Sequence, residues 1–281
     1  MLIQADKLKE IIDSNPNQLI IFDCRHDLVN TNWGYQEYLK GHIPRAIFAN
    51  LDTDLSGKKT GNNGRHPLPQ MNDWLSTLNS WGLNKDSLVI MYDQNESTFS
   101  ARLWWMLNKS GFKNLQLLDG GFKAWCSLDL PIELAAHSAK SSKLLSLEDI
   151  PNNFNDLKLM TSVKENLASK DYLVLDARAP ERFKGEVEPL DPVAGHIPNA
   201  SNRPYKENLN SDGTFKRPTE LMNDFSKLGI SNNKVIHQCG SGVTACNNLF
   251  AMELAGIRNS KLYAGSWSEW CSNPENPMSQ G

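Results

Sequence analysis

The feature that most restricts the fold of this chain is a unit written twice. Near the start the sequence reads LIIFDCR and then YLKGHIPRAIFAN; later it reads YLVLDAR and then VAGHIPNASNRPY. Each half continues with a helical stretch ending in SWGLNKDSLVIMYD or SKLGISNNKVIHQC. A helix follows in each, SARLWWMLNKSGF or ACNNLFAMELAGI, and each half closes on an aromatic turn, LLDGGFKAW or LYAGSWSEW. One shared motif would not preserve that order along a whole half. The repeat divides the 281 residues into a domain over 1–136, a linker over 137–156 and a second domain over 157–281. The linker is rich in Ser and Lys and broken by Pro151. Each copy is long enough to bury its own core.

Within a unit, the runs Leu19–Phe22, Leu88–Tyr92 and Leu115–Leu118 are apolar throughout rather than alternating, as parallel strands covered on both faces are. They alternate with helical segments. The expected fold class is therefore α/β: two tandem domains, each a central parallel sheet flanked by helices. Ligands of such sheets sit beyond the carboxyl ends of the strands, and KVIHQ is one of those strands, so Cys239 lies at the expected site edge. The two GHIP segments, Gly41–Pro44 and Gly195–Pro198, read as turns into the next strand, with His42 and His196 as turn-fixing hydrogen-bond partners.

Composition excludes several classes. A net charge of −3 without a dense basic block gives no reason to expect nucleic acid or an anionic membrane as partner. Polar residues interrupt every apolar run before membrane-spanning length, and the first residues lack a basic then apolar leader. Five cysteines, an odd number without CxxC pairing, argue against a disulfide framework or a zinc cluster and for a reducing, cytoplasmic setting. Cys24 and Cys126 read as small core residues, Cys246 as packed inward from its helix, and Cys271 as an exposed residue near the tail. Trp267 and Trp270 read either as walls of the site or as core.

The segment CGSGVT stands between a strand and a helix starting near Val243 or Thr244. Gly240 and Gly242 let the chain curl with its N–H groups inward, and the helix N-terminus points at the same spot. Such a loop is built to hold an anionic sulfur. The first copy has Asp93 at the matching point and a longer, glycine-free loop. A carboxylate cannot act as a thiol nucleophile, so the first domain is expected to keep the fold without the chemistry. A cysteine phosphatase would need an arginine closing the loop, where Ala245 stands.

The tandem units, the paired GHIP turns, the CGSGVTAC loop and the GSWSEW ending together resemble the two-domain sulfurtransferases of the rhodanese superfamily, over nearly the whole chain. The resemblance implies that Cys239 takes a sulfur atom as a persulfide and passes it to a nucleophilic acceptor. The loop is more similar to the mercaptopyruvate branch than to the thiosulfate branch, whose loop reads Cys-Arg-Lys-Gly-Val-Thr. Physical reasoning agrees: thiosulfate is a dianion that gains from a cationic loop, whereas Gly240 and Ser241 offer only neutral donors. Mercaptopyruvate needs one guanidinium and some backbone N–H groups. The resemblance assigns substrate binding to Arg182, the arginine of the family's Arg-Phe pair, and to Gly240, Gly242, Val243 and Thr244 of the loop. Arg178, beside Asp176, reads as a structural ion pair, as Arg25 does beside Asp23.

The family's mercaptopyruvate branch also implies a Ser-His-Asp relay, matched here by Ser241, His66 and Asp52, with Asp54 a near rival. Spacing alone reads His66, between Arg65 and Pro67, as an exposed loop residue, and Arg65 as a possible contributor to the same cleft. One departure stands out. Leu190 and Asp191 fall where the family usually has a second substrate-gripping arginine. The expected activity is transfer of sulfur from 3-mercaptopyruvate through a Cys239 persulfide to cyanide or to a thiol, either a small one or that of a thioredoxin-like protein. Pyruvate is released, and no metal or organic cofactor is required. Thiosulfate:cyanide transfer is the alternative.

Overall fold

Runs of branched and aliphatic residues without polar alternation are stable as strands only when both faces are covered, and here every such run pairs in parallel. The computed structural model describes residues 1–94, 96–138, 143–151, 156–230, 234–258 and 260–281. Of the expected linker, 139–142 and 152–155 lie outside the described residues. The chain forms two compact units. One comprises Met1–Gly57, Pro69–Asn153 and Ser211–Thr214; the other comprises Lys58–Leu68, Phe154–Asn210 and Phe215–Gly281. Lys58–Leu68, from the first copy of the repeat, therefore belongs to the second unit and brings Arg65 and His66 with it.

In the first unit the strands are β1 (Leu2–Ile3), β2 (Leu19–Asp23), β3 (Ala46–Phe48), β4 (Leu88–Tyr92) and β5 (Leu115–Leu118). The helices are α1 (Ala5–Ser14), α2 (Trp33–Lys40), α3 (Met71–Ser80), α4 (Thr98–Lys109) and α5 (Gly121–Ser127). The second unit has β6 (Leu173–Asp176), β7 (Ser201–Asn202), β8 (Val235–Gln238) and β9 (Ser260–Leu262). Its helices are α6 (Met160–Ser169), α7 (Pro180–Phe183), α8 (Pro218–Lys227), α9 (Ala245–Leu254) and α10 (Ser266–Trp270). Strand order is β1-β5-β4-β2-β3 in one sheet and β7-β6-β8-β9 in the other. Without β1 the two orders are the same, read from opposite edges. A trace of β1 survives in the second unit, where Leu157 makes a single parallel bridge to Leu262.

Each sheet buries apolar side chains on its helix-covered faces. Ile21, Ile90 and Leu118 pack with Leu8 and Trp125 in one unit, and Val174, Ile236 and Tyr263 pack with Trp267 and Trp270 in the other. The two tryptophans of the GSWSEW ending are thus core residues. The repeat also reproduces its polar fastenings. Trp125 Nε1 donates to Pro131 O at 2.8 Å, and Trp270 Nε1 to Pro277 O at 2.9 Å. His42 Nδ1 lies 2.7 Å from Tyr38 O and His196 Nδ1 lies 2.8 Å from Phe183 O, so both GHIP histidines fix their turns as expected.

A further fastening is a buried ion pair at the carboxyl ends of β2 and β6. Arg25 Nη2 donates to Asp23 Oδ2 at 2.6 Å and to Gly41 O at 2.7 Å; Arg178 Nη2 donates to Asp176 Oδ2 at 2.7 Å and to Gly195 O at 2.7 Å. Each arginine ties the strand end to the GHIP turn.

Two cysteine expectations are corrected. Cys126, within α5, is exposed, and Cys271, at the end of α10, is buried against the Trp267 and Trp270 core. Cys24 and Cys246 are buried as expected.

Removing one member of a buried ion pair strands its partner, at a cost of about 3–5 kcal/mol. Arg25→Ala and Arg178→Ala should each lower unfolding free energy by that order in denaturant titration. An unchanged midpoint for both would show that the strand-end pairs hold nothing together.

Candidate active site

β8 ends in a histidine–glutamine pair inside the sheet, and the loop follows at Cys239. His237 is wholly buried with Nε2 3.1 Å from Met252 Sδ, and burial first, then Arg203, pulls its pKa down to about 3. It is therefore neutral and supplies no charge to the loop that follows. Cys239 is 2% exposed. Its N–H donates to Ser266 Oγ at 3.1 Å and its carbonyl accepts from Trp267 N–H at 3.0 Å. Gly240 O accepts from Ser268 N–H at 2.9 Å, so the start of α10 holds both ends of the first loop peptides. Gly242 has φ of +74°, and a Cβ there would lie 2.3 Å from Ala264 O, so only glycine fits. Val243 is buried and Thr244 is the cap residue of α9, which starts one residue later than the sequence suggested.

The first copy shows what such a strand-to-helix turn does with an anion. Asp93 accepts from the N–H groups of Ser97 at 2.9 Å, Phe99 at 2.9 Å and Ser100 at 3.1 Å, and from Ser100 Oγ at 3.1 Å. Burial pushes its carboxyl above the ordinary value, and those hydrogen bonds pull against the shift. The turn gathers backbone donors at the head of α4 round one negative group.

His66 is 5% exposed, which corrects its reading as an exposed loop residue. Gly64 explains the burial. Its φ is +84°, and a Cβ there would lie 2.9 Å from Gly265 O, so the segment lies directly on the start of α10. Arg65 N–H donates to Ser268 Oγ at 3.0 Å. His66 Nδ1 then lies 2.8 Å from Ser241 Oγ, within proton-transfer reach. Asp52 belongs to the first unit, where its carboxylate lies 3.7 Å from His26 Nε2. Asp54 is committed locally, accepting from Asn50 N–H at 2.8 Å and Thr53 Oγ1 at 3.1 Å.

Two guanidinium groups flank the loop. A Cβ on Gly240 would lie 2.7 Å from Arg65 Nη2, and 3.4 and 3.5 Å from Arg182 Nη2 and Nη1. Arg182 Nη2 donates to Glu188 Oε1 at 2.6 Å, and Arg65 pairs with Asp191. Arg178 Nη1 also reaches Glu188 Oε2, at 3.3 Å. Burial pulls the Arg178 guanidinium down, but Asp176 and then Glu188 hold it above its usual value. Cys271 lies near the same carboxylates, and burial first, then Asp191, pushes its thiol up to about 11.

Sequence reasoning missed Ser266, Ser268 and Glu188. The serines were visible as the small polar positions of GSWSEW, and Glu188 as one of three acids crowded into EVEPLD.

Residues 4–128 and 159–273 each match the family model of the rhodanese-like domain. The chain is 42% identical over 273 residues to a Pseudomonas aeruginosa protein named "Probable 3-mercaptopyruvate sulfurtransferase", covering 94% of this chain and 93% of that one. It is 37% identical over 285 residues to a Mycobacterium tuberculosis protein whose name proposes thiosulfate sulfurtransferase SseB, covering 100% and 97%. A solved structure, SseA from Escherichia coli, titled as a 3-mercaptopyruvate sulfotransferase, superposes with a TM-score of 0.82 at 32% identity, covering 95% of this chain and 99% of that one. A matching domain in each half and relatives above 30% identity along nearly the full length leave one conclusion: the chain belongs to the rhodanese-like domain family and is a sulfurtransferase of its two-domain kind.

Proposed function

We propose that the chain moves a sulfur atom from 3-mercaptopyruvate to a thiol or cyanide acceptor through a persulfide on Cys239. The observation that carries the reading is the loop Cys239–Thr244, with Ser241 Oγ 2.8 Å from His66 Nδ1 and two guanidiniums beside Gly240. The loop is neutral where the thiosulfate branch is cationic, and the Pseudomonas and Escherichia relatives are named for mercaptopyruvate.

In the first half-reaction the Cys239 thiolate attacks the sulfur of the donor. An S–S bond forms, the donor C–S bond breaks, and its electron pair leaves on carbon as the enolate of pyruvate. Cys239 then carries the outer sulfur as S–SH, and the enolate takes one proton to become pyruvate. Ser241 is placed to deliver that proton, and His66 to replace it. We carry Asp52 over as the acid of this relay on the family resemblance alone. Arg182 grips the donor carboxylate, with N–H groups of Gly240, Gly242, Val243 and Thr244 lining the loop. In the second half-reaction an acceptor thiolate attacks the outer sulfur, leaves with it as a persulfide, and returns Cys239 to the thiolate. The electron pair left on the pyruvate carbon balances the rise of the sulfur from thiol to sulfane level, and the second half-reaction passes that sulfane sulfur on unchanged, so no external oxidant is needed.

A small thiol or a thioredoxin-like protein is the acceptor we propose. Five free cysteines support a reducing, cytoplasmic setting. Among the described residues no helix is long and apolar enough to cross a membrane. Thiosulfate is the second reading, favoured by the paired guanidiniums of Arg65 and Arg182 and by the name of the Mycobacterium relative.

Intact-mass measurement after donor treatment should show one added sulfur on the wild type and none on Cys239→Ser, whose turnover should vanish with every donor. Sulfur mapped to Cys246 or Cys24 would remove Cys239 from its role. Arg182→Ala should lower kcat/KM for mercaptopyruvate roughly ten- to a hundredfold, since a charge-assisted hydrogen bond contributes about 1.5–3 kcal/mol. Ser241→Ala should impair mercaptopyruvate turnover while barely changing thiosulfate, because thiosulfate leaves as sulfite and needs no carbon protonated. A wild type that prefers thiosulfate, with a Ser241→Ala variant indifferent to donor, would exchange the two readings.

A further inference from the structure

The two carboxylates that face the guanidiniums beside Gly240 are not equivalent. Glu188 uses both oxygens. Oε1 accepts from Arg182 Nη2 at 2.6 Å, Leu190 N–H at 3.0 Å and Asp191 N–H at 3.2 Å, and Oε2 accepts from Arg182 Nε at 3.2 Å and Arg178 Nη1 at 3.3 Å. It holds the segment and the arginines in shape. The Asp191 side chain is just as buried, 3% exposed, yet only Oδ1 is hydrogen-bonded, by Arg65. Oδ2 lies 3.5 Å from Arg182 Nη2 and is one of the buried oxygens without a hydrogen-bond partner among the described residues. Burial holds the carboxyl above its ordinary value, against the pull of Arg65.

A half-satisfied buried carboxylate is costly, and a neutral residue there would avoid the cost. What Asp191 does instead is bridge Arg65 and Arg182, the two guanidiniums nearest Gly240. The charges close: Arg65, Arg178 and Arg182 face Asp176, Glu188 and Asp191. Three positive groups meet three negative ones.

We propose that Asp191 is a specificity-determining residue, an internal counter-ion that cancels the charge of Arg65 and Arg182 beside the nucleophile loop and so favours a monoanionic sulfur donor over a dianionic one. The inference rests on the sulfurtransferase reading above. It explains why two arginines can flank Gly240 without making the site a dianion site. It also gives the departure at this position a function: the segment that lacks an arginine supplies a negative charge to one brought by Lys58–Leu68.

Asp191→Asn removes the charge and keeps the shape. Coulomb energy scales with the charge of the donor, so a gain of roughly threefold for monoanionic mercaptopyruvate implies its square, roughly tenfold, for dianionic thiosulfate. Steady-state kinetics with both donors should show kcat/KM rising for each, the gain residing in KM, and the ratio moving toward thiosulfate by about threefold. Asp191→Glu, which keeps the charge, should keep the wild-type ratio, and Asp191→Ser should move it as Asn does. An unchanged ratio, a loss confined to kcat, or a Glu variant that shifts the ratio as far as Asn would overturn the assignment. So would failure of all three variants to fold, which would make Asp191 a structural residue. Intact mass separates the two levels. Wild type that carries no sulfur on Cys239 from either donor removes the function proposed above and this inference with it. A loaded Cys239 with an unmoved ratio overturns the counter-ion alone.

Discussion

In each unit one acidic side chain sits where a strand, β4 or β8, turns into its helix, and the arrangement of the turn follows from that residue. The first copy uses the Asp93 carboxylate, gripped by three backbone N–H groups and a serine hydroxyl at the head of α4. The second copy puts the Cys239 sulfur at that strand end, in a shorter loop. The Asp93 carboxylate is met by donors from within its own turn and is fully buried. In the second loop Gly240 brings the backbone close to Arg65 and Arg182, and Gly242 lets it pass against Ala264 O.

The loop is flanked by a dense group of charges. Three arginines and three carboxylates share a small volume, all largely buried. Isolated, any one of them would cost several kcal/mol to desolvate. Together they form a network whose members hold each other in position, so a guanidinium can be presented to substrate without a flexible arm. The strand-end pair Asp176–Arg178 is the fixed part of this network, since its twin Asp23–Arg25 has the same geometry in a unit with no cysteine loop.

Much of the architecture was legible because it depends on local signals. Apolar runs without alternation declared buried parallel strands, and the repeat declared that the two sheets share an order. The candidates Cys239, Ser241 and Arg182 came from loop chemistry and resemblance, and the structure sets the loop beside Arg182. His66 was not legible from its neighbours, because Arg65 and Pro67 describe an exposed turn. Its burial is created by residues two hundred positions away, through the close approach of Gly64 to Gly265 and the bond from Arg65 N–H to Ser268 Oγ at 3.0 Å. Asp191 was visible as a departure, but a departure in sequence has no partner, and the guanidinium it meets lies 126 positions earlier. Cys126 and Cys271 were misjudged for the opposite reason. Both follow a buried tryptophan by one residue, and the sequence around them does not distinguish the exposed one from the buried one.

The membership of Lys58–Leu68 in the second unit reaches beyond the fold. The first copy has Asp93 where the second has Cys239, yet it supplies part of the second unit. The carboxyl-terminal copy, taken alone, lacks the histidine that touches Ser241 and the arginine that touches Asp191. The two copies are interlocked: a segment written in the first is part of the second unit, so the boundary of the repeat in the sequence is not the boundary of the folded unit.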